Sequence, residues 1–211
     1  DLKPLKNEIV FALNNFYVHD DFYEIMSGEV EKYYMTAPIH PPQTDTEWKE
    51  WFSDMGTHMP KNANLIFGIS NQITTAKNII DHHNFFLNFQ KYWYYAGINI
   101  NDYYNYNPRD IDITRITWIA DTVSIYSLIF ALYMGFNEIY LLGMDHNYII
   151  NNERNYRFYQ NGIHQNNEME RTIKDASRNK HLSFGMYKIF NQYELLSNNS
   201  HTKIYLSLIH I

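Results

Sequence analysis

The residues most able to do chemistry stand where short apolar runs end. Asp145, His146 and Asn147 follow the run EIYLLG, Asn14 and Asn15 follow EIVFAL, and Ser70 and Asn71 follow NLIFGI. Asparagine amides placed there either turn the chain or offer donors and acceptors to a ligand base or phosphate. Asp145 reads either as a nucleotide contact or Mg²⁺ ligand, or as a structural turn whose carboxylate bonds backbone amides. His181 has the side chain that titrates nearest neutral pH, which suits a general base working on a hydroxyl. It also reads as a surface residue at a helix start among Arg178, Asn179 and Lys180. Tyr148, Tyr156 and Tyr159 carry hydroxyls able to donate to phosphate without a metal. Asp81, His82 and His83 suggest a metal site, but adjacent histidines do not share a helix face, so a solvated turn is expected there.

These residues need elements to hold them. Between Asp121 and Tyr148, Val123, Tyr126, Ile129, Phe130 and Tyr133 recur at helical spacing, and Gly135 stops the pattern where a helix C-cap falls. EIYLLG then reads as a strand covered on both faces, and Gly143 permits a sharp turn into Asp145. Further strands are expected at 8–13, 32–36 and 64–69, all with 137–142 in one parallel sheet, and a last strand begins at 203–205. A short helix is expected over 20–26 and another from Glu47 with Thr46 as cap. Residues 76–80 and 85–94 read as helical or extended. An amphipathic helix spans 182–196, with Met186, Ile189, Phe190, Tyr193 and Leu196 on one stripe. The polar stretch 99–114 reads as a long loop and 151–167 as a lid. Alternating strands and helices give an α/β class: a mainly parallel, Rossmann-like, doubly wound sheet with helices on both faces and ligands at the strands' carboxyl ends.

Composition narrows the function classes. With 211 residues the chain suits one domain, and a net charge of −6 without a Lys/Arg run argues against a large nucleic-acid footprint. There are no cysteines, so disulfides and thiolate metal sites are excluded. No apolar run approaches the ~20 residues of a membrane span, and a cytoplasmic protein is expected, with peripheral membrane association and oligomeric state left open. The 19 tyrosines are a bias that an AT-rich coding genome produces as readily as function does. Residues 206–211, LSLIHI, resemble one reading frame of a sequencing adaptor, so the domain is expected over 1–205 with a non-native tail.

Two stretches carry a family resemblance. FALNNFYVHDDF is similar to the asparagine-bearing first segment of bacterial sialyltransferases of the Campylobacter type, and NEIYLLGMDHNY to their later GYKEIYLSGID segment. The same stretches resemble the MptE-like group, named after hydroxymethylpterin pyrophosphokinase, with its YYMGFKEIYLIGVDHN. The sialyltransferase resemblance implies that Asn14 contacts a cytidine nucleotide, with Asn15 in the place of a glutamine. It implies that Thr122 opens the central helix near the nucleotide, although the serine that follows it in the family is Val123 here. Tyr148, displaced by one position, and Tyr156, in a longer loop, correspond to tyrosines that hold the donor phosphate, and His181 to the general base ahead of a helix. The family's glycine-rich GNGPS turn and its strand would precede Asp1, so the sheet is expected to lack its first strand. The family's second asparagine contact is replaced by Ala37-Pro38.

The resemblance thus implies a glycosyltransferase acting on a nucleotide-sugar donor and a glycan acceptor, for surface glycan or lipopolysaccharide synthesis, with no cofactor required. The MptE-like alternative implies an ATP-dependent pyrophosphokinase acting on 6-hydroxymethyl-dihydropterin, with Mg²⁺ on Asp145. A third reading is a non-catalytic nucleotide-binding module that keeps the fold without the chemistry.

Overall fold

The computed structural model describes residues 2–41, 43–98, 112–144, 146, 176–198 and 200–207, with side chains in the last helix from Ser183 onward. Residues 99–111 of the loop expected over 99–114, and the whole lid expected over 151–167, lie outside these residues. The fold is α/β, mainly parallel and Rossmann-like. Strands β1 (Val10–Leu13), β2 (Lys32–Thr36), β3 (Asn64–Ile69), β4 (Lys91–Ile98) and β5 (Ile116–Trp118) form one sheet in the order β1-β2-β3-β4-β5. Strands β6 (Glu138–Leu142) and β7 (Lys203–Ser207) form a separate parallel pair. The helices are α1 (Phe22–Met26), α2 (Asp45–His58), α3 (Ala76–His83), α4 (Val123–Tyr133) and α5 (Ala176–Asn198). Two compact units result, the first over residues 2–96 and the second over the described residues from Gly97 onward.

In the first unit β1, β2, β3 and β4 pair in parallel, with Leu13 opposite Met35, Thr36 opposite Phe67 and Gly68 opposite Tyr94. Their apolar side chains meet α1, α2 and α3 in one core that includes Ala12, Tyr34, Leu65, Phe67, Phe52 and Ile80. Rings meet edge to face, Phe52 on Phe67 at 5.9 Å and Phe22 on Tyr34 at 5.9 Å. Such pairs add about 0.5–1.5 kcal/mol each beyond the area they bury. Lys32, at the start of β2, is fully buried. Its ammonium donates to the carbonyls of Leu5 (2.9 Å), Lys6 (3.0 Å) and Glu8, anchoring the 3-10 turn Lys3–Asn7 on the sheet. Burial holds this lysine's pKa below its ordinary value.

Several sequence expectations are corrected. The cap of α2 is Thr44, not Thr46, because Thr44 and Glu47 form a reciprocal capping box that satisfies both orphan amides. Residues 85–94 are not one element, since β4 begins at Lys91. Asp81, His82 and His83 are the last turn of α3 rather than a solvated turn, and the chain leaves through Asn84 at φ +56°. The two histidine rings meet edge on at 4.7 Å.

In the second unit α4 is buried from Val123 to Ala131, and Gly135 at φ +80° ends it where the sequence placed the stop. Its residues Ile125, Leu128 and Ile129 form a core with Trp118 of β5 and Leu195 and Leu196 of α5. EIYLL is a strand, as expected, but it pairs with β7 outside the five-stranded sheet. It is not covered on both faces: Leu141 is buried while Glu138 and Tyr140 are exposed, the alternation of a strand with one solvated face. Among the described side chains of α5, Ile189, Gln192, Leu195 and Leu196 are buried, whereas Phe190, expected in the stripe, is exposed.

Candidate functional site

Parallel strands present their carboxyl ends to ligands because the following helices begin there, with amides pointing outward. At that edge of the first unit the two asparagines after β1 divide their roles. Asn15 is buried and its Oδ1 accepts the Trp51 indole N–H at 2.7 Å, tying the 3-10 turn Asn14–Val18 to α2. Asn14 is exposed and held at φ +49°, a left-handed conformation that asparagine adopts more readily than other side chains.

Beside it, β2 ends in Thr36. This residue is 1% exposed, and its Oγ1 has no hydrogen-bond partner. Its carbonyl accepts the Tyr94 hydroxyl at 3.0 Å. That bond runs from β4 to β2 across β3 because residue 68 is glycine: a Cβ there would lie 2.7 Å from the Tyr94 oxygen and 2.5 Å from the Pro38 ring. On the connection to α2, Gln43 also holds a buried Oε1 without a partner. The starts of α2 and α3 are joined by Thr74, whose hydroxyl donates to Asp45 at 3.3 Å.

The second unit has its own polar array at the start of α4. Thr122 is the N-cap residue in extended conformation, and its side chain makes no capping bond. The Ser124 hydroxyl lies 3.2 Å from Thr122 Oγ1, Tyr193 Oη 2.6 Å from Ser124 Oγ, and His146 Nε2 2.9 Å from Tyr193 Oη. His146 is buried at φ +46°, with its ring against Tyr193 and Phe190. With Tyr193 donating to Ser124 and Ser124 to Thr122, His146 supplies the Nε2–H and the Thr122 hydroxyl proton is directed out of the array. Nearby, Lys188 Nζ lies 3.6 Å from Asp121, and burial raises the carboxyl's pKa while Lys188 opposes the rise. Tyr126 is buried with its oxygen accepting the Ala120 N–H at 2.9 Å, and burial pushes its pKa up to about 12.

Of the residues singled out from sequence, Asn14 and Asn15 therefore lie in the first unit, and Thr122 and His146 in the second. Asp145, Tyr148 and Tyr156 lie outside the described residues. His181 sits inside α5 rather than in a loop ahead of it, because the helix starts at Ala176; its side chain lies outside the described residues. Sequence reading did not single out the buried Thr36 hydroxyl or the Ser124 and Tyr193 members of the polar array. Tyr193 stood in an amphipathic stripe and read as core, and nothing local ties it to a serine 69 residues away. Among the described residues no cluster of His, Asp and Glu has the make-up of a metal site. Comparison with family models, characterised proteins and solved structures finds no match to this chain.

Proposed function

We propose that this protein is a glycosyltransferase that uses a nucleotide-activated sugar, of the sialyltransferase-like kind. The observation that carries the reading is Asn14: an exposed amide in left-handed conformation at the carboxyl end of β1, where a parallel α/β sheet receives ligands. It stands at the position the resemblance gives to a nucleotide contact. Asn15 accepts the Trp51 N–H on its Oδ1 and so ties the turn that carries Asn14 to α2. In the reaction an acceptor hydroxyl attacks the anomeric carbon as the bond to the nucleotide phosphate breaks. The proton leaving the hydroxyl needs a base, for which we assign His181, and the departing phosphate needs hydrogen-bond donors.

Nucleotide binding is tested by thermal unfolding of the chain with CMP, UDP or ATP. A ligand that binds only the folded state at 100 times its Kd stabilises by about 2.7 kcal/mol. CMP is expected to raise Tm, and Asn14→Ala to abolish the rise. A shift with ATP and Mg²⁺ alone would move the reading to the pterin pyrophosphokinase, and no shift with any nucleotide would overturn both enzymes. His181→Ala is expected to keep the CMP shift while lowering transfer by roughly 10² to 10⁴, the usual loss for a general base. Unchanged turnover would remove His181 from that role.

A further inference from the structure

We propose that Thr36 is a base-reading residue: its buried hydroxyl takes a hydrogen bond from, or gives one to, the heterocycle of the bound nucleoside. The inference rests on the nucleotide-binding reading above and adds a residue and a ligand part to it. Thr36 Oγ1 is buried at 1% residue exposure without a hydrogen-bond partner, at the carboxyl end of a central strand. Buried hydroxyls are ordinarily satisfied, so an orphan at a ligand-binding edge marks a group held ready for a partner. The register sets it beside Asn14. Leu13, the residue before Asn14, pairs with Met35, the residue before Thr36, so the two polar residues follow one paired position on adjacent strands, and Thr36 itself pairs with Phe67.

The surroundings select the ligand part. Thr36 shares its strand face with Tyr34, and Phe67 lies opposite, both in the aromatic core. The helix that follows begins with Asp45 and Glu47, and the Glu47 carboxylate already occupies the Thr44 amide where an anion would bind. Acidic residues in the first turn of that helix disfavour a phosphate there, whereas a flat, uncharged heterocycle suits a neutral hydroxyl on a strand face shared with aromatic rings. Gln43 Oε1, buried and unpartnered on the same connection, is a second neutral acceptor. The backbone here is held from the other side, since Tyr94 fixes the Thr36 carbonyl across Gly68. Thr36 is thus positioned without using its own side chain.

The test is Thr36→Val, which keeps the β-branched shape and removes only the hydroxyl, with Thr36→Ser as the variant that restores it. Cytidine, CMP and inorganic phosphate serve as probes in calorimetry and thermal unfolding. Thr36→Val is expected to melt no lower than wild type without ligand, and to bind cytidine and CMP about tenfold more weakly, the loss of one hydrogen bond. Thr36→Ser is expected to recover most of that affinity, and phosphate alone to show no difference among the three proteins. Unchanged cytidine binding by Thr36→Val, a loss confined to CMP, or a lower unliganded Tm that Thr36→Ser restores would each overturn the inference. Nucleoside binding without sugar transfer would instead sink the glycosyltransferase reading and leave this one standing. Absence of binding by wild type would overturn both.

Discussion

At the scale of single residues, the informative groups are polar side chains in apolar surroundings. Asn15 has the residue type of a ligand contact and the environment of a structural one, because its buried Oδ1 accepts the Trp51 N–H. Asn15→Leu keeps the volume and removes that acceptor, so a loss of about 1–3 kcal/mol in urea unfolding is expected, the cost of taking the partner from a buried donor. A loss below a few tenths would mean that the Trp51 N–H is satisfied without Asn15. Tyr126 makes a prediction in pH. Its folded pKa of about 12 lies above its ordinary 10.0, so between those values the folded state holds a proton that the unfolded chain releases. Its contribution is therefore complete below pH 10 and is lost as pH rises through about 12. The ultraviolet titration of wild type minus Tyr126→Phe should show one phenol ionising near 12; a difference curve centred at 10 would contradict burial as the cause.

At the scale of elements, two glycines separate backbone strain from close approach. Gly135 has φ +80°, and a Cβ added to it would meet nothing within 4 Å, so Gly135→Ala meets only left-handed strain, about 1 kcal/mol. Gly68 has no such backbone demand, yet a Cβ there lies 2.5 Å from Pro38 and 2.7 Å from Tyr94 Oη. Gly68→Ala should cost about 1–3 kcal/mol by overpacking and loosen the Tyr94 bond to Thr36. Chemical denaturation of both variants tests the ordering, and equal losses would argue that Tyr94 and Pro38 move aside freely. The elements themselves were largely readable. KYYMT and NLIFGI are strands over the expected residues, since their β-branched and aromatic runs are bounded by breakers. The α2 cap lies two residues before the threonine expected, although the T-x-x-E signature was present at Thr44 and Glu47.

At the scale of the whole chain, the formal net charge is −6 at neutral pH. Among the described residues no helix is long and apolar enough to cross a membrane. The proposed reaction transfers a sugar with side-chain donors alone, so turnover with a nucleotide-sugar should persist in EDTA, while a pterin pyrophosphokinase would stop. Transfer activity that EDTA abolishes and Mg²⁺ restores would count against the glycosyltransferase assignment.

By itself the sequence determined the class of fold, the places where strands end in polar residues, and the stop of α4 at Gly135. Those features depend on periodicity and backbone sterics within a few residues, which the chain displays openly. Tertiary structure alone decided that Asn15 serves Trp51 while Asn14 stays exposed, and that EIYLL pairs with β7. It alone showed that Thr36 is buried without a partner and that His146 reaches Ser124 through Tyr193. A hydrogen bond is made over about 3 Å of space by groups any distance apart in sequence, so which polar side chains are consumed and which are left available emerges only when the strands and helices are assembled.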